Sequence, residues 1–253
     1  MQLRALFLDN STGPWHKMYQ NGVLKTWCTP SHQGPIANLY LGKKPKNLAI
    51  NACVNKILVS RHLQKYWRFF QVKTCSTQIG CTEIDSIIEL DIRETWPNIT
   101  LKTLAAIRYV HTHHAYDFLI RANASCYVNL NALKNHLESL NGKFLYAGPK
   151  AINKDFISGW GIVLNHKTVE TLLNNEGAKF LELFDDEAIG RMLKVSGIDP
   201  MPIPHLEIST LKELNEKTRE ELATFPFIRV KASENGKRID DVLMCRIHEI
   251  LGV

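Results

Sequence analysis

Short apolar runs with strand character alternate with segments of helical periodicity along most of the 253 residues. The strand-like runs are residues 3–8, 36–41, 86–90, 116–120, 144–147, 161–164 and 227–231. The helical segments are residues 14–27, 101–110, 130–140, 167–173, 185–195, 210–222 and 240–251. Such alternation is typical of α/β folds, in which helices flank a mostly parallel central sheet. Because no repeat, low-complexity linker or domain boundary interrupts it, residues 1–253 are predicted to form a single domain.

Several element ends carry their own signals. Gly197 follows the fifth helical segment and is placed to end it. Thr210 and Glu213 have the spacing of a capping box, which predicts the start of one surface helix. Asn235 and Gly236 predict a turn ahead of the last helix.

The charge of the chain favours an anionic partner. The formal net charge is +6 and the pI is near 8.9, which suits nucleic acid, membrane headgroups or a nucleotide diphosphate. No arginine-rich tract and no RNA-binding aromatic motif occurs, so a nucleic-acid partner is not expected. The basic surface suits peripheral contact with anionic lipids. The basic aromatic stretch of residues 65–70 is predicted to bury its rings and leave its cations in water.

Cysteine usage and hydropathy suggest a compartment. The six cysteines form no CxxC pair and no zinc-like spacing, which is typical of reduced thiols in the cytosol. No run approaches the roughly 20 apolar residues of a membrane helix. The first apolar run, residues 3–8, is too short for a signal peptide. We therefore expect a soluble, cytoplasmic protein of a bacterium or of a virus-infected cell.

Polar residues follow two of the predicted strands. Asp9 and Asn10 come directly after the first strand, and residues 121–125 follow the strand of residues 116–120. In open α/β sheets, ligands collect where the strands end. Neither a GxGxxG fingerprint nor a GxxxxGK[ST] loop is present, which argues against a dinucleotide or P-loop site.

Four further segments carry a more specific pattern. They are DSIIELDIRETWPNITLKTLAAIRYV (residues 85–110), YDFLIRANASCYVNLNALKNHL (116–137), SGWGIVLN (158–165) and FDDEAIGRML (184–193). In this order and spacing they resemble blocks of glycosyltransferase family 31, the fringe and β-1,3-galactosyltransferase group. The resemblance covers residues 85–195 and rests on the blocks jointly rather than on any one of them.

This resemblance implies a GT-A (Rossmann-like) fold and an activity. The expected reaction is inverting transfer of a sugar from a nucleotide-diphosphate donor, a UDP-sugar, to a hydroxyl of a glycan or glycolipid. Asp186 matches the family's general base, which deprotonates the acceptor hydroxyl. The resemblance assigns sugar or acceptor contacts to Gly159, Trp160, Gly161 and Asp185.

The metal-binding turn departs from the family pattern. Where the family has an Asp triplet that holds Mn²⁺ or Mg²⁺, this chain has Asn123, Ala124 and Ser125. Hard divalent cations need anionic oxygen ligands, so no metal is expected to be required, although Mn²⁺ or Mg²⁺ stays possible. Cationic side chains are then expected to neutralise the diphosphate. The donor-binding candidates are Asp9, Asn10, Lys102, Arg121, Asn123, Ser125, Arg229 and Lys231, with Lys237 and Arg238 nearby in the sequence.

Other interpretations stay open. The chain could be a catalytically inactive relative that binds glycans or acts as a scaffold. Asp185 could cap the following helix, and the SGWG segment could be a tight turn with a core tryptophan. The spacing of His111, His113 and His114 does not match a paired metal site, and cations are favoured at a helix end in any case.

Overall fold

The computed structural model describes residues 1–9, 13–28, 36–43, 79–84, 86–94, 98–140, 145–177 and 180–252. The predictions for Asn10, for the aromatic stretch of residues 65–70 and for the first residue of the predicted strand 144–147 lie outside these ranges.

The described residues form thirteen strands and eight α-helices. The strands are β1 (Leu3–Leu8), β2 (Ile36–Lys43), β3 (Cys81–Ile84), β4 (Ile87–Arg93), β5 (Phe118–Ala122), β6 (Cys126–Val128), β7 (Tyr146–Gly148), β8 (Gly161–Asn165), β9 (Met201–Pro202), β10 (His205–Ile208), β11 (Phe227–Val230), β12 (Ser233–Glu234) and β13 (Lys237–Arg238). The helices are α1 (Gly13–Asn21), α2 (Ile99–His113), α3 (Leu130–Glu138), α4 (His166–Asn174), α5 (Asp185–Val195), α6 (Leu211–Asn215), α7 (Arg219–Ala223) and α8 (Asp240–Leu251).

A large sheet organises the molecule. Its strand order is β3-β4-β2-β1-β5-β8-β7-β9. Strands β4, β2, β1 and β5 are parallel, and β7 and β9 point the same way, whereas β3 and β8 run against them. The predicted α/β class with a mostly parallel central sheet is therefore confirmed. A second sheet, in the order β10-β11-β6, lies beside it.

The core lies on both faces of the large sheet. Along β1, Leu3, Ala5 and Phe7 pack into one apolar cluster, which also receives side chains of α1, α3 and α8. Leu6 and Leu8 pack on the other face, against side chains of α2, α4 and α5. Because β1 lies between β2 and β5 and is covered on both faces, its sequence is apolar on both faces rather than alternating. The exception is Arg4, which is buried and donates to Asn38 on β2.

Two of the three predicted end signals agree with the structure. The helix predicted for residues 14–27 is shorter, because α1 ends at Asn21 and a separate 3-10 turn follows at Val23–Lys25. Helix α5 has the predicted bounds, and Gly197 beyond it has φ +70°, which a glycine adopts without strain. Asn235 and Gly236 have φ 48° and 72° and close the β12–β13 hairpin, as predicted. No described helix is long and apolar enough to cross a bilayer.

The single surface helix predicted for residues 210–222 is wrong, because the structure has two short helices there. Thr210 accepts a hydrogen bond from the Glu213 amide, but the Glu213 carboxylate accepts from Ser209 N, so the predicted reciprocal box is incomplete. The complete capping box lies further on, at Thr218 and Glu221. That second N-terminal signal begins α7 and divides the segment.

One edge of the large sheet collects the ends of most strands. Strands β4, β2, β1, β5, β7 and β9 end there, and β8 begins there, so we call it the carboxyl edge. The turn before β8 and the first turns of α2 and α5 meet at this edge, as the contacts described below show. Residues separated by up to about half of the chain are thus brought together.

Gly148, at the end of β7, depends on having no side chain. Its φ is +148°, and a Cβ there would lie 2.0 Å from the carbonyl oxygen of Gly161 on β8. Gly197 also has a positive φ, +70°, but a Cβ there would meet nothing within 4 Å. Replacing Gly197 would therefore test backbone strain alone, whereas replacing Gly148 would test backbone strain together with a steric clash.

We expect Gly148→Ala to lower the free energy of unfolding by about 3 kcal/mol or more, since a strained backbone and a clash add. Gly197→Ala should lower it by only about 1 kcal/mol, the cost of the left-handed conformation alone. Urea unfolding of both variants measures the difference. Equal losses of stability in the two variants would contradict the close approach of Gly148 to the Gly161 carbonyl.

Candidate active site

A buried ion pair joins the end of β5 to the start of α5. Arg121 Nη2 lies 2.5 Å from Asp185 Oδ2, and both side chains are almost fully buried. Burial alone would lower the pKa of Arg121, but Asp185, Tyr40 and Asp186 together outweigh burial, so the net pKa is raised above the ordinary value. The guanidinium therefore stays charged, and α5 is fixed to the sheet at its first residue.

Two hydroxyl groups complete the surroundings of Asp185. Thr103 of α2 donates from Oγ1 to Asp185 Oδ2 at 2.9 Å. The Tyr40 hydroxyl lies 2.9 Å from the same Thr103 oxygen and must donate to it, because the Thr103 proton points at Asp185. Burial raises the pKa of Tyr40, which keeps this proton in place. Asp185 is thus held by side chains from α2 and β5 rather than acting as a simple helix cap.

Asp186, the next residue, is half-buried and held by backbone groups. Its Oδ2 accepts from Gly159 N at 2.9 Å, and its Oδ1 accepts from Glu187 N at 2.9 Å. The pKa of Asp186 is raised, first by burial and then by the neighbouring Asp185 carboxylate, which together outweigh the hydrogen bonds that lower it. A carboxylate with a raised pKa in an ordered position is suited to accept a proton.

Gly159 is where these groups approach one another. A Cβ on Gly159 would lie 2.9 Å from Arg121 Nη1 and 3.3 Å from Asp186 Cβ and Oδ2. Gly161, two residues on, pairs with Ala122 at the end of β5. Any side chain at position 159 would push either Arg121 or Asp186 away. The turn before β8 therefore positions Asp186 beside the strand end that carries the Asn123 turn.

The Asn123 turn is closed by its own side chains. Asn123 Oδ1 accepts from Ser125 N at 3.1 Å and from Ser125 Oγ at 3.0 Å. Ala124 between them is buried. An amide oxygen that already accepts two hydrogen bonds, with no carboxylate in the turn, does not fit a divalent cation. Across the described ranges, no group of three or more His, Cys, Asp or Glu side chains is arranged to hold a metal ion.

Arg229 lies next to this turn. It pairs with Cys126 across β11 and β6, and Val230 N donates to Ser125 O at 2.9 Å. Its guanidinium carbon stands 5.6 Å from the centre of the Trp160 ring, a cation–π distance. The guanidinium also faces Glu207 at 3.4 Å, while its Nε is buried without a hydrogen-bond partner among the described residues. Arg229 is thus a cation anchored beside the turn.

Trp160 does not present an open ring face for the sugar or acceptor contact that the resemblance implies. Its side chain is buried, with Phe227 and His205 against it at ring-centroid distances of 6.4 and 5.3 Å and Arg229 over its face. This corrects the expectation of a sugar platform. The open alternative, a tight turn with a core tryptophan, describes the observed packing better, and the ring supports Arg229.

Lys102 likewise differs from the expectation of an available cation. It is buried and pairs with Glu94, a residue that the sequence analysis did not single out. Burial lowers the pKa of Lys102, while Glu94 opposes this effect. Because its charge is already compensated, Lys102 is not free to neutralise a diphosphate in this conformation.

Asp9 lies at the same edge, at the end of β1. It is buried, and its Oδ2 lies 2.8 Å from His16 Nδ1 on α1. Its Oδ1 has no hydrogen-bond partner among the described residues. Sequence reasoning missed His16, because a spacing of seven residues across a helix start matches no motif. This buried carboxylate oxygen of Asp9 could therefore accept a hydrogen bond from a bound ligand.

Among the described residues, the side chains of the other basic candidates do not contact this centre. Lys231 is exposed just beyond β11, and Arg238 binds Asp240 and stacks 5.0 Å from the Trp15 ring. His111 contacts Tyr116 at the opposite edge of the sheet. The candidate residues that the structure brings together are Arg121, Asn123, Ser125, Gly159, Trp160, Gly161, Asp185, Asp186 and Arg229.

Neutralising Asp185 and neutralising Asp186 should change the free energy of unfolding in opposite directions. Asp186→Asn should raise the free energy of unfolding at pH 7, because the folded protein disfavours the charged form of a group whose pKa is raised. The gain should shrink as the pH falls through that raised pKa, since wild-type Asp186 is then protonated. Asp185→Asn should lower the free energy of unfolding by about 3–5 kcal/mol, because Arg121 is left buried without its counter-charge.

Thermal and urea unfolding across pH 4–8 measures both effects, where the pH limits bracket roughly the range of carboxyl titration. Asp199→Asn, in the exposed Lys194 pair, is the control and should change stability by less than about 1 kcal/mol. A loss of stability in Asp186→Asn comparable to that in Asp185→Asn would show that the two carboxylates are not differently held.

Comparisons with known proteins give limited similarity. No protein-family model and no curated protein sequence matches the chain. Among solved structures, the glycosyltransferase GlyE of Streptococcus pneumoniae TIGR4 is similar at 10% identity and a TM-score of 0.41, over 80% of this chain and 46% of GlyE. Its apo form is similar at 11% identity and a TM-score of 0.41, over 98% of this chain and 60% of GlyE. The chain thus spans only about half of GlyE, and these values do not assign it an activity.

Proposed function

We propose that this chain is an inverting glycosyltransferase with a single GT-A-type domain. It transfers a sugar from a nucleotide-diphosphate donor, a UDP-sugar, to a hydroxyl group of a glycan or glycolipid. The observation that carries the proposal is the Asp186 carboxylate, held by Gly159 N at the strand edge that also bears the Asn123 turn. The order of the four sequence blocks that resemble glycosyltransferase family 31 supports the same assignment.

Asp186 acts as the general base. As the acceptor oxygen attacks the anomeric carbon, its proton passes to the Asp186 carboxylate. The new oxygen–carbon bond forms while the bond from the anomeric carbon to the diphosphate oxygen breaks, and the nucleoside diphosphate leaves from the opposite face. One displacement of this kind inverts the configuration. The raised pKa of Asp186 brings its basicity closer to that needed near neutral pH.

Arg229 takes the place of a metal ion at the leaving group. The neutral Asn123 turn does not fit a divalent cation, and Arg121 and Lys102 are compensated by Asp185 and Glu94. Arg229 is different, because its contact with Glu207 is long and partly exposed. A guanidinium presents paired donors that match phosphate oxygens. Lys231, two residues on, adds a second positive charge to the same strand end.

The nucleoside end of the donor is assigned to the end of β1. The buried Asp9 carboxylate has an oxygen without a partner among the described residues and can accept from an N–H or hydroxyl donor of the nucleoside. His16 fixes the orientation of this carboxylate through its Nδ1 contact. Asn10, the following residue, is assigned to the same end.

A second candidate is a catalytically inactive glycan-binding protein. The compensation of Arg121 and Lys102 inside the protein and the burial of Trp160 favour it, because fewer groups are free for donor and sugar. The two candidates differ in whether the nucleotide is released from a donor.

In a panel of UDP- and GDP-sugars, nucleotide release should occur from a UDP-sugar and should persist in the presence of a chelator. Asp186→Asn should reduce it by about 10²–10⁴-fold, the usual contribution of a general base. Glu187→Gln changes the neighbouring carboxylate, which forms a half-exposed pair with Arg191 on the same helix, and should keep near wild-type activity. In the wild type, kcat should fall as the pH drops through the raised pKa of Asp186.

No release from any donor, together with retained sugar binding, would favour the inactive candidate. Release that the chelator abolishes would contradict the metal-free mechanism while leaving the transferase assignment in place.

Arg229→Gln should weaken UDP binding by about 10–100-fold, the range for hydrogen bonds to a charged group. Arg246→Gln removes a guanidinium from an exposed pair with Glu249 on α8 and serves as the matched control with unchanged affinity. Isothermal titration with UDP measures both. Equal affinity in the two variants would remove Arg229 from the donor site.

A further inference from the structure

The segment between β7 and β8 is an ordered turn that projects from the carboxyl edge. Lys150 and Ile157 form an antiparallel bridge, and Ser158 N donates to Pro149 O at 2.8 Å. Ile157 is fully buried, so the base of the turn is part of the core. We call residues 149–158 the edge turn. Its conformation is set by backbone hydrogen bonds and core packing.

Helix α5 supports the edge turn from one side. Gly190 lies against Phe156, where a Cβ on Gly190 would come within 2.5 Å of Phe156 Cβ. This close contact leaves no room for the turn to fold down over the helix. Residues 152–155, at the tip of the turn, are all exposed.

The tip presents an apolar side chain to water. Ile152 is 83% exposed, more than any other large apolar side chain among the described residues. The backbone around it is ordered, because Lys154 N donates to Ala151 O at 3.1 Å and Asn153 takes a φ of 55° to close the turn. A rigid turn that holds an isoleucine in solvent contributes little to folding, which suggests a contact outside the chain.

Lysines flank the exposed isoleucine. Lys150 and Lys154 are both exposed, and the only acidic residue of the edge turn, Asp155, lies 3.6 Å from Lys150 in an exposed pair. Such a pair is weak, and the turn keeps a net positive charge. An apolar tip between cations matches the boundary between the headgroups and acyl chains of an anionic membrane.

The edge turn also borders the candidate active site. It runs directly into Gly159, whose N–H holds Asp186. Phe184, two residues before Asp186 in the sequence, is 48% exposed. A membrane that contacted the Ile152 tip would thus lie beside the carboxyl edge rather than beside the opposite edge of the sheet.

We propose that the edge turn docks the protein on anionic phospholipid membranes, with Ile152 entering the interface and Lys150 and Lys154 contacting lipid phosphates. Docking itself does not depend on the catalytic assignment. Its consequence, a glycolipid acceptor delivered to Asp186 from the membrane surface, rests on the proposed function.

Cosedimentation of the whole chain with vesicles tests this proposal. Wild-type protein should bind vesicles of phosphatidylcholine and phosphatidylglycerol, bind much less to pure phosphatidylcholine, and lose binding at high salt. Ile152→Asn should weaken binding by about tenfold or more, from the loss of buried apolar surface. Lys150→Gln and Lys154→Gln should each weaken it by about fivefold.

Matched controls lie at the opposite edge of the sheet. Val195→Asn alters an apolar side chain that is 64% exposed at the end of α5, and Lys167→Gln alters an exposed lysine at the start of α4. Both should bind vesicles like the wild type. Because every substituted side chain is exposed, thermal unfolding should be unchanged in all five variants.

Wild-type protein that ignores anionic vesicles, or Ile152→Asn that binds as well as the wild type, would overturn docking by the edge turn. Equal losses in the two control variants would mean nonspecific adhesion and would also overturn it. Nucleotide release with a soluble acceptor should be unaffected by Ile152→Asn, so failure of docking and failure of the transferase assignment are observed separately.

Discussion

The buried pair of Arg121 and Asp185 is the interaction on which the candidate site depends. It joins the last part of a central strand to the first residue of α5, and it does so almost without solvent. Two charges withdrawn from water compensate each other here. Thr103 and Tyr40 add hydrogen bonds on the Asp185 side, while Arg121 Nε is buried without a hydrogen-bond partner among the described residues. The position of α5, and therefore of Asp186, follows from the need to satisfy these charges.

The same pair makes Asp186 unusual. The pKa of Asp186 rises first because the side chain is partly buried and then because the Asp185 carboxylate, fixed by Arg121 and Thr103, lies next to it. Gly159 then holds Asp186 through a backbone N–H that no larger residue could bring so close. Adjacent carboxylates of one sequence acquire different properties because one is neutralised by a cation and the other only by hydrogen bonds.

The sequence predicts the local part of this arrangement well. The bounds of α5, the glycine after it and the Asn235–Gly236 hairpin follow from short-range signals, and the structure agrees with them. Contacts between distant segments are different. Nothing local indicates that Lys102 is compensated by Glu94, or that Trp160 is covered by Arg229, because these pairings arise only when strands and helices meet at the carboxyl edge. The sequence does not show whether a charged residue is compensated by an ion pair inside the protein.

Ion pairs inside the protein also limit which cations could bind a diphosphate. Arg121 and Lys102 are buried cations at the carboxyl edge, yet each has a carboxylate partner, so neither adds net positive potential there. The Asn123 turn adds none, since its side chains are neutral and bonded to each other. In the proposed reaction, attraction for an anionic donor comes from the rim, where the contact of Arg229 with Glu207 is long. A guanidinium held by an aromatic face, rather than by a short ion pair, keeps most of its charge available for phosphate oxygens.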